Sequence, residues 1–186
     1  MRKSLIALAL LATPVLAQDD GAGPNLVIEV AGEANGTIVI DLLSDVAPGH
    51  VERITALAES GAYDGVAFHR VIEGFMAQTG DVECAVAGAA CPAGTGGSDM
   101  PDLAAEFSDI NYDRGIVGMA RSQNPDSANS QFFIMFDEGS FLNGQYTVVG
   151  RVIEGMDVVD AIKRGAGPNG SVIGEPDRMA SVTVAE

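Results

Sequence analysis

The sequence has no tryptophan, only two histidines, His50 and His69, and only two cysteines, Cys84 and Cys91. These four form no ligand cluster with usable spacing, so the residues point to no metal and no cofactor. Basic residues are scarce: ten Lys and Arg stand against 26 Asp and Glu, giving a net charge of −16. Neutralising phosphates takes a basic face, which excludes nucleic acid as a partner and leaves the charge to serve solubility. Long apolar runs are missing too. The run from Ser4 to Leu11 is too short to span about 30 Å of hydrocarbon, and no other stretch reaches that length, so no membrane anchor is expected. Hydrolase motifs are also absent. Ser130 has no G-x-S-x-G setting, neither histidine has a nucleophile beside it by motif, and no carboxylate pair is recognisable. The stretch Gly94-Thr95-Gly96-Gly97 lacks the Lys-Ser/Thr pair of a phosphate loop.

What is present suits one domain with a single core. Met1, Arg2 and Lys3 precede the short apolar run, and Val15-Leu16-Ala17 offers a cleavage site before Asp19 and Asp20. This pattern predicts a secretory signal over residues 1–17, cleaved after Ala17, and a mature domain over 18–186. Removing Arg2 and Lys3 takes the charge from −16 to −18. Export would bring Cys84 and Cys91 into an oxidising compartment, which favours a disulfide over two free thiols. Such a bridge would close a short loop and contribute about 2–3 kcal/mol.

Short apolar or β-branched runs recur at Asn25–Val30, Thr37–Leu43, Val66–Ile72, Gly115–Ala120, Gln131–Phe136, Thr147–Ile153 and Ala180–Val184. Bounded by turn residues, they predict an antiparallel, mainly β sandwich or barrel. Two segments read as helices. Pro48 can open the first, Val51, Ile54, Leu57 and Ala58 share one face, and Gly61 can end it. The second is predicted from Met156 to Arg164, with Lys163 and Arg164 favouring its C-terminal end before Gly165.

Two segments carry unusual groups: Phe68–Asp81, a strand and the turn after it, and Ser130–Ile134 followed by Phe141–Tyr146. Phe and Met in such runs most often belong to a core. Arg70 lies within an otherwise apolar strand, where an unpaired charge is costly. It must have a structural partner or face a cleft. His69 should point to the opposite sheet face as a hydrogen-bonded structural histidine.

Phe68-His69-Arg70-Val71-Ile72-Glu73-Gly74-Phe75-Met76-Ala77-Gln78-Thr79-Gly80-Asp81 resembles the cyclophilin signature, and Ser130–Ile134 resembles its second signature. Gly94–Gly97, Gly118–Arg121 and Val149–Met156 extend the likeness from about Asn25 to the C-terminus. The resemblance implies a closed eight-stranded antiparallel barrel capped by two helices. It implies peptidyl-prolyl cis/trans isomerisation of proline-containing peptides and unfolded proteins. Arg121 and Tyr146 resemble the bacterial exported branch, hence a periplasmic protein, and nothing demands more than a monomer. Arg70 matches the catalytic arginine, and Phe75, Met76, Phe133 and Leu142 match the proline pocket. Gln78, Ala120, Arg121 and Gln131 match groups along the peptide groove. Tyr146 stands where many relatives have histidine, and Phe141 where many have tryptophan, which implies weak cyclosporin binding. Glu73 stands where proline is common, and the Cys84–Cys91 region is longer than the usual loop. A peptide-binding or chaperone module using the same groove without turnover is the alternative, to be separated by an isomerase assay.

Overall fold

The computed structural model describes Gly21 and residues 23–185; the predicted signal segment, 1–17, lies outside the described residues. Among the described residues nine strands form one antiparallel sheet: β1 (Asn25–Ala31), β2 (Gly36–Leu42), β3 (Val66–Ala67), β4 (Arg70–Ile72), β5 (Met76–Thr79), β6 (Ile116–Met119), β7 (Phe132–Met135), β8 (Val148–Glu154) and β9 (Arg178–Ala185). Their order is β3-β9-β1-β2-β8-β6-β7-β5-β4. The described residues also form two α-helices, α1 (Pro48–Glu59) and α2 (Met156–Ala161).

The expected closed eight-stranded barrel is not what forms. The run Val66–Ile72 does not make one strand, because ladder pairing breaks at Phe68–His69. Its first half pairs with β9 and its second with β5. These halves are the two edges of the sheet, so no ladder joins them and the sheet curls without closing. The ninth strand is β5, joined to β4 by a hairpin in which Ile72 faces Met76.

Strand alternation builds two apolar clusters rather than one. Leu26, Ile28, Ile38, Ile40, Phe132 and Ile134 face the inside of the curl, where α1 adds Val51, Ile54, Leu57 and Ala58. On the other face of β5, β6 and β7, a second cluster gathers Met76, Tyr112, Phe133, Met135, Leu142 and Val148. All four residues of β7 are buried because both of its faces are covered. That outer cluster becomes the floor of the groove.

The helices differ in how well local sequence defines them. α1 starts at Pro48 as expected, but its N-cap, Ala47, makes no side-chain cap. Glu106, 57 residues from Gly49, replaces it. Its carboxylate accepts from the backbone N–H groups of Gly49 and His50, each at 3.1 Å, and from the buried His50 Nδ1 at 2.5 Å. α2 stops at Ala161, short of the predicted Arg164. Ile162 turns extended so that it can bury, and the Lys163 N–H then donates to buried Asp177 at 2.7 Å. Lys163 pairs with Glu33, and Arg164 pairs with Glu73 while its Nη1 still donates to the carbonyl of Ile162, the C-cap of α2.

Partial burial raises the Glu106 pKa, but bonds from His50 and the backbone outweigh it and leave the carboxyl below its ordinary value. A lowered folded-state pKa gives stability that is full above the ordinary value and is lost as pH falls through the lowered one. The Tm should fall between about pH 5 and pH 3 more steeply in the natural protein than in Glu106→Gln. Glu106→Ala should lose about 2 kcal/mol at neutral pH, read from urea midpoints, because it strips a helix cap and orphans a buried imidazole. Parallel acid slopes for the natural protein and the Gln variant would show that Glu106 carries none of this dependence.

Candidate active site

Sheet register assembles the site. Arg70 on β4 lies opposite Gln78 on β5, Gln78 opposite Phe133 on β7, and Phe133 opposite Gly118 on β6. This row puts a cation, an amide and an aromatic ring side by side on the outer sheet face. Gly118 makes room for the ring: a Cβ there would come within 2.7 Å of Phe133 Cζ and 2.4 Å of the Tyr112 hydroxyl. Tyr112 then stacks on Phe133 at 5.8 Å between centroids, and Tyr146 meets it edge-on at 5.9 Å.

Above this floor lies a cavity of about 160 Å³, lined by Arg70, Phe75, Met76, Gln78, Ala120, Arg121, Phe133, Leu142 and Tyr146. These are nine of the eleven residues expected at the site. Sites for drug-sized ligands measure roughly 300–1,000 Å³, so this cavity suits one ring-sized group. A second cavity of about 400 Å³ shares Gln78, Ala120 and Arg121 with it and adds Gln131, Gly94–Ser98, Asp102, Ser122, Ser127 and Asn129. The two form one groove with an apolar end and a polar end. Gln131 thus belongs to the polar end. Phe141 lines neither cavity; it is 64% exposed and leans on Phe75 at 5.5 Å between rings.

Arg70 has both a partner and a cleft. Its Nη1 donates to Gln78 Oε1 at 3.0 Å and approaches the Met76 sulfur at 3.9 Å. Its Nε donates to the Asn169 backbone oxygen at 3.0 Å, and Nη2 to Asn169 Oδ1 at 3.3 Å. One Nη2 hydrogen and the Nη1 hydrogen weakly held by sulfur are left over. Burial lowers the Arg70 pKa, opposed by Tyr146, but a guanidinium stays charged at neutral pH. Arg121 is committed elsewhere: it donates to the Gln145, Ser122 and Gln123 carbonyls and covers the Tyr146 ring at 4.3 Å.

The amides beyond Arg70 form a one-way chain. Gln78 Nε2 donates to Gln131 Oε1 at 2.9 Å, and Gln131 Nε2 to the Gly96 oxygen at 2.9 Å. Gly96 is held in turn by Asp81, a residue sequence reasoning passed over. Asp81 is fully buried and accepts from the N–H groups of Glu83, Cys84, Gly94 and Gly96. It therefore gathers the glycine loop and the cysteine loop around one carboxylate. The sulfurs of Cys84 and Cys91 are bonded, with Cα atoms 5.2 Å apart.

His69 departs from expectation. It is buried, but neither ring nitrogen is hydrogen-bonded; Ala67 and Gln131 lie near without reaching bonding geometry. Burial lowers its pKa, opposed by the Asp81 charge. Gly94 passes so close that a Cβ there would lie 3.1 Å from the ring. The imidazole is a packing element under the glycine loop.

With this geometry in place, comparison with known proteins is specific. The profile of the family described as "Cyclophilin type peptidyl-prolyl cis-trans isomerase/CLD" matches residues 26–184. A "Probable peptidyl-prolyl cis-trans isomerase" of Brucella suis biovar 1 (strain 1330) is 57% identical over 153 residues, 81% of this chain and 78% of the relative. A peptidyl-prolyl cis-trans isomerase of Arabidopsis thaliana is 37% identical over 156 residues, covering 80% of this chain and 90% of its own. The crystal structure of a Cryptosporidium parvum cyclophilin-type isomerase, determined in the presence of the dipeptide Ala-Pro, aligns with a TM-score of 0.75 at 26% identity. That alignment covers 87% of this chain and 99% of the other. The chain belongs to the cyclophilin-type peptidyl-prolyl cis-trans isomerase family.

Proposed function

We propose that this isomerase turns X-Pro bonds by holding the proline ring in the small cavity while Arg70 stabilises the twisted amide. A prolyl bond rotates slowly because its C–N bond has partial double-bond character. Twisting breaks the resonance and leaves a lone pair on a pyramidal nitrogen. No nucleophile, proton donor or metal takes part, so the protein need only bind the twisted form better than either planar one. Phe75, Met76, Phe133 and Leu142 offer the ring apolar contact. The spare Nη1 and Nη2 hydrogens of Arg70 face the proline carbonyl oxygen and the developing lone pair. The observation that carries this reading is the pairing of a tethered guanidinium with an apolar, ring-sized cavity. The polar cavity beside it takes the flanking backbone of a proline-containing peptide or unfolded chain.

Removing one preorganised transition-state donor typically lowers rates by about 10²–10³. Arg70→Ala should lose that much kcat/KM in a protease-coupled assay on a proline peptide while keeping its Tm. Arg70→Lys should recover only part, because an ammonium lacks the planar fork. Near-normal turnover in Arg70→Ala would defeat the mechanism, and absent turnover in the natural protein would favour a binding module.

The reading extends to the compartment. The protein is proposed to be exported to the periplasm, cleaved after Ala17, and to carry the Cys84–Cys91 bridge as a monomer. Intact-mass analysis of protein from the periplasmic fraction should give the mass of residues 18–186 less two hydrogens, regaining two on reduction. Two alkylatable thiols without reductant would contradict the bridge. Loss of the bridge should leave turnover within a few-fold, since Asp81 holds the loop through four N–H bonds of its own.

Phe141 separates drug binding from catalysis. It stands exposed at the groove rim without a side-chain donor, whereas a tryptophan there would add an indole N–H and more contact area. We expect weak cyclosporin inhibition. Phe141→Trp should tighten it by roughly 30–150-fold, the worth of about 2–3 kcal/mol, with kcat/KM changed only a few-fold. Nanomolar inhibition of the natural protein would show that Phe141 does not limit the drug.

A further inference from the structure

Arg70 stands between two spaces. On one side is the ring-sized cavity; on the other is a cavity of about 450 Å³ lined by Arg70, His69, Thr95 and Asn169 among others. A long side chain with room on both sides loses rotamer entropy when it is held to one of them. Gln78 holds only one Nη1 hydrogen. Something must keep the guanidinium from swinging backward.

The turn over Pro168–Gly170 supplies that restraint. Asn169 contributes two acceptors to Arg70 from 99 residues away: its backbone oxygen to Nε and its Oδ1 to Nη2. Among the described residues Asn169 is the one non-glycine with positive φ, at φ 56° and ψ 28°. That left-handed conformation carries a steric penalty for L-residues, which Asn tolerates better than most. It aims the carbonyl and the side-chain amide of one residue at the same guanidinium. The turn itself is anchored without the amide. The Val172 N–H donates to the His69 oxygen at 3.0 Å, Gly165 to Val71 at 2.9 Å, and Gly167 to Ser171 at 2.9 Å. The edge strand β4 is thus sewn to the turn on both sides of Arg70.

We propose that Asn169 is a positioning residue that fixes the Arg70 guanidinium from behind, so that its spare N–H groups stay turned toward the prolyl amide. This rests on the reading of Arg70 as the catalytic group. Asn169 lines the cavity beyond Arg70 and neither the ring-sized cavity nor the polar cavity beside it. Its loss should therefore lower kcat and leave KM in place, since the apolar floor and the polar cavity that bind peptide are untouched.

Three variants separate this role from a structural one. Asn169→Gly adopts positive φ freely and keeps the backbone oxygen, so it removes Oδ1 alone. It should lower kcat roughly three- to tenfold, as expected for one lost hydrogen bond, with KM and Tm unchanged. Asn169→Asp keeps an acceptor at the same place and should return kcat to within about twofold of the natural protein. In an Arg70→Ala background, Asn169→Gly should cause no further loss, because it acts only through the arginine. Unchanged kcat in Asn169→Gly, failed rescue by Asp, or an equal loss in the Arg70→Ala background would overturn the proposal. Full turnover in Arg70→Ala itself would instead overturn the underlying reading of Arg70, and the two failures cannot be confused.

Discussion

The hydrogen bond from Arg70 to Gln78 crosses two paired strands, and the organisation of the groove follows from it. Register places the two residues opposite each other, and period-two alternation turns both toward the outer face. Once Gln78 Oε1 accepts from Arg70, its amide nitrogen must donate outward. That orients Gln131, which in turn reaches the Gly96 oxygen. The glycine loop is thereby joined to the cation through side chains whose donors all run one way. Asp81 closes the far end by binding the backbone of the same loop. A guanidinium buried without such partners would face a large desolvation penalty; with them it becomes a fixed source of positive potential beside an apolar floor.

Much of this was readable from residues alone, and the failures have physical causes. The first helix was legible because Pro48 starts it and four apolar residues recur at helical spacing. Its cap was not, since Ala47 offers none and Glu106 arrives from a distant loop. The two-strand nature of Val66–Ile72 was hidden because both halves are apolar and each finds a different partner. β5 was hidden for a related reason: the Glu73-Gly74 turn is tight enough that the whole stretch looks like one strand and its end. The second helix ends before the predicted Arg164: Lys163 and Arg164 fit a helix C-terminus locally, but burial of Ile162 and the bond from Lys163 to Asp177 end it sooner.

The site divides in the same way. Arg70 could be picked out by charge within an apolar strand, and its neighbours by resemblance to cyclophilins. Asn169 carries no such mark, and Asp81, although it ends the signature stretch, shows no role in the sequence. Each acts through backbone or amide groups brought close only by the fold, over separations as long as 99 residues. Phe141 was expected among the groove residues but stands at the rim, because it leans on Phe75 and leaves the floor to Phe133 and Leu142.

We propose that binding and turnover reside in different parts of the groove: apolar floor and polar cavity for binding, the tethered guanidinium for rotation. Two-dimensional NMR line shapes of a short Ala-Pro-containing peptide, titrated with the protein, yield affinity and isomer exchange from one data set. With the natural protein, the cis and trans signals should shift on binding and exchange rapidly at sub-stoichiometric enzyme. With Arg70→Ala, the shifts should persist at an affinity within a few-fold while the enzyme-driven exchange disappears. Exchange that continues at the natural rate in that variant, at matched occupancy, would contradict the account.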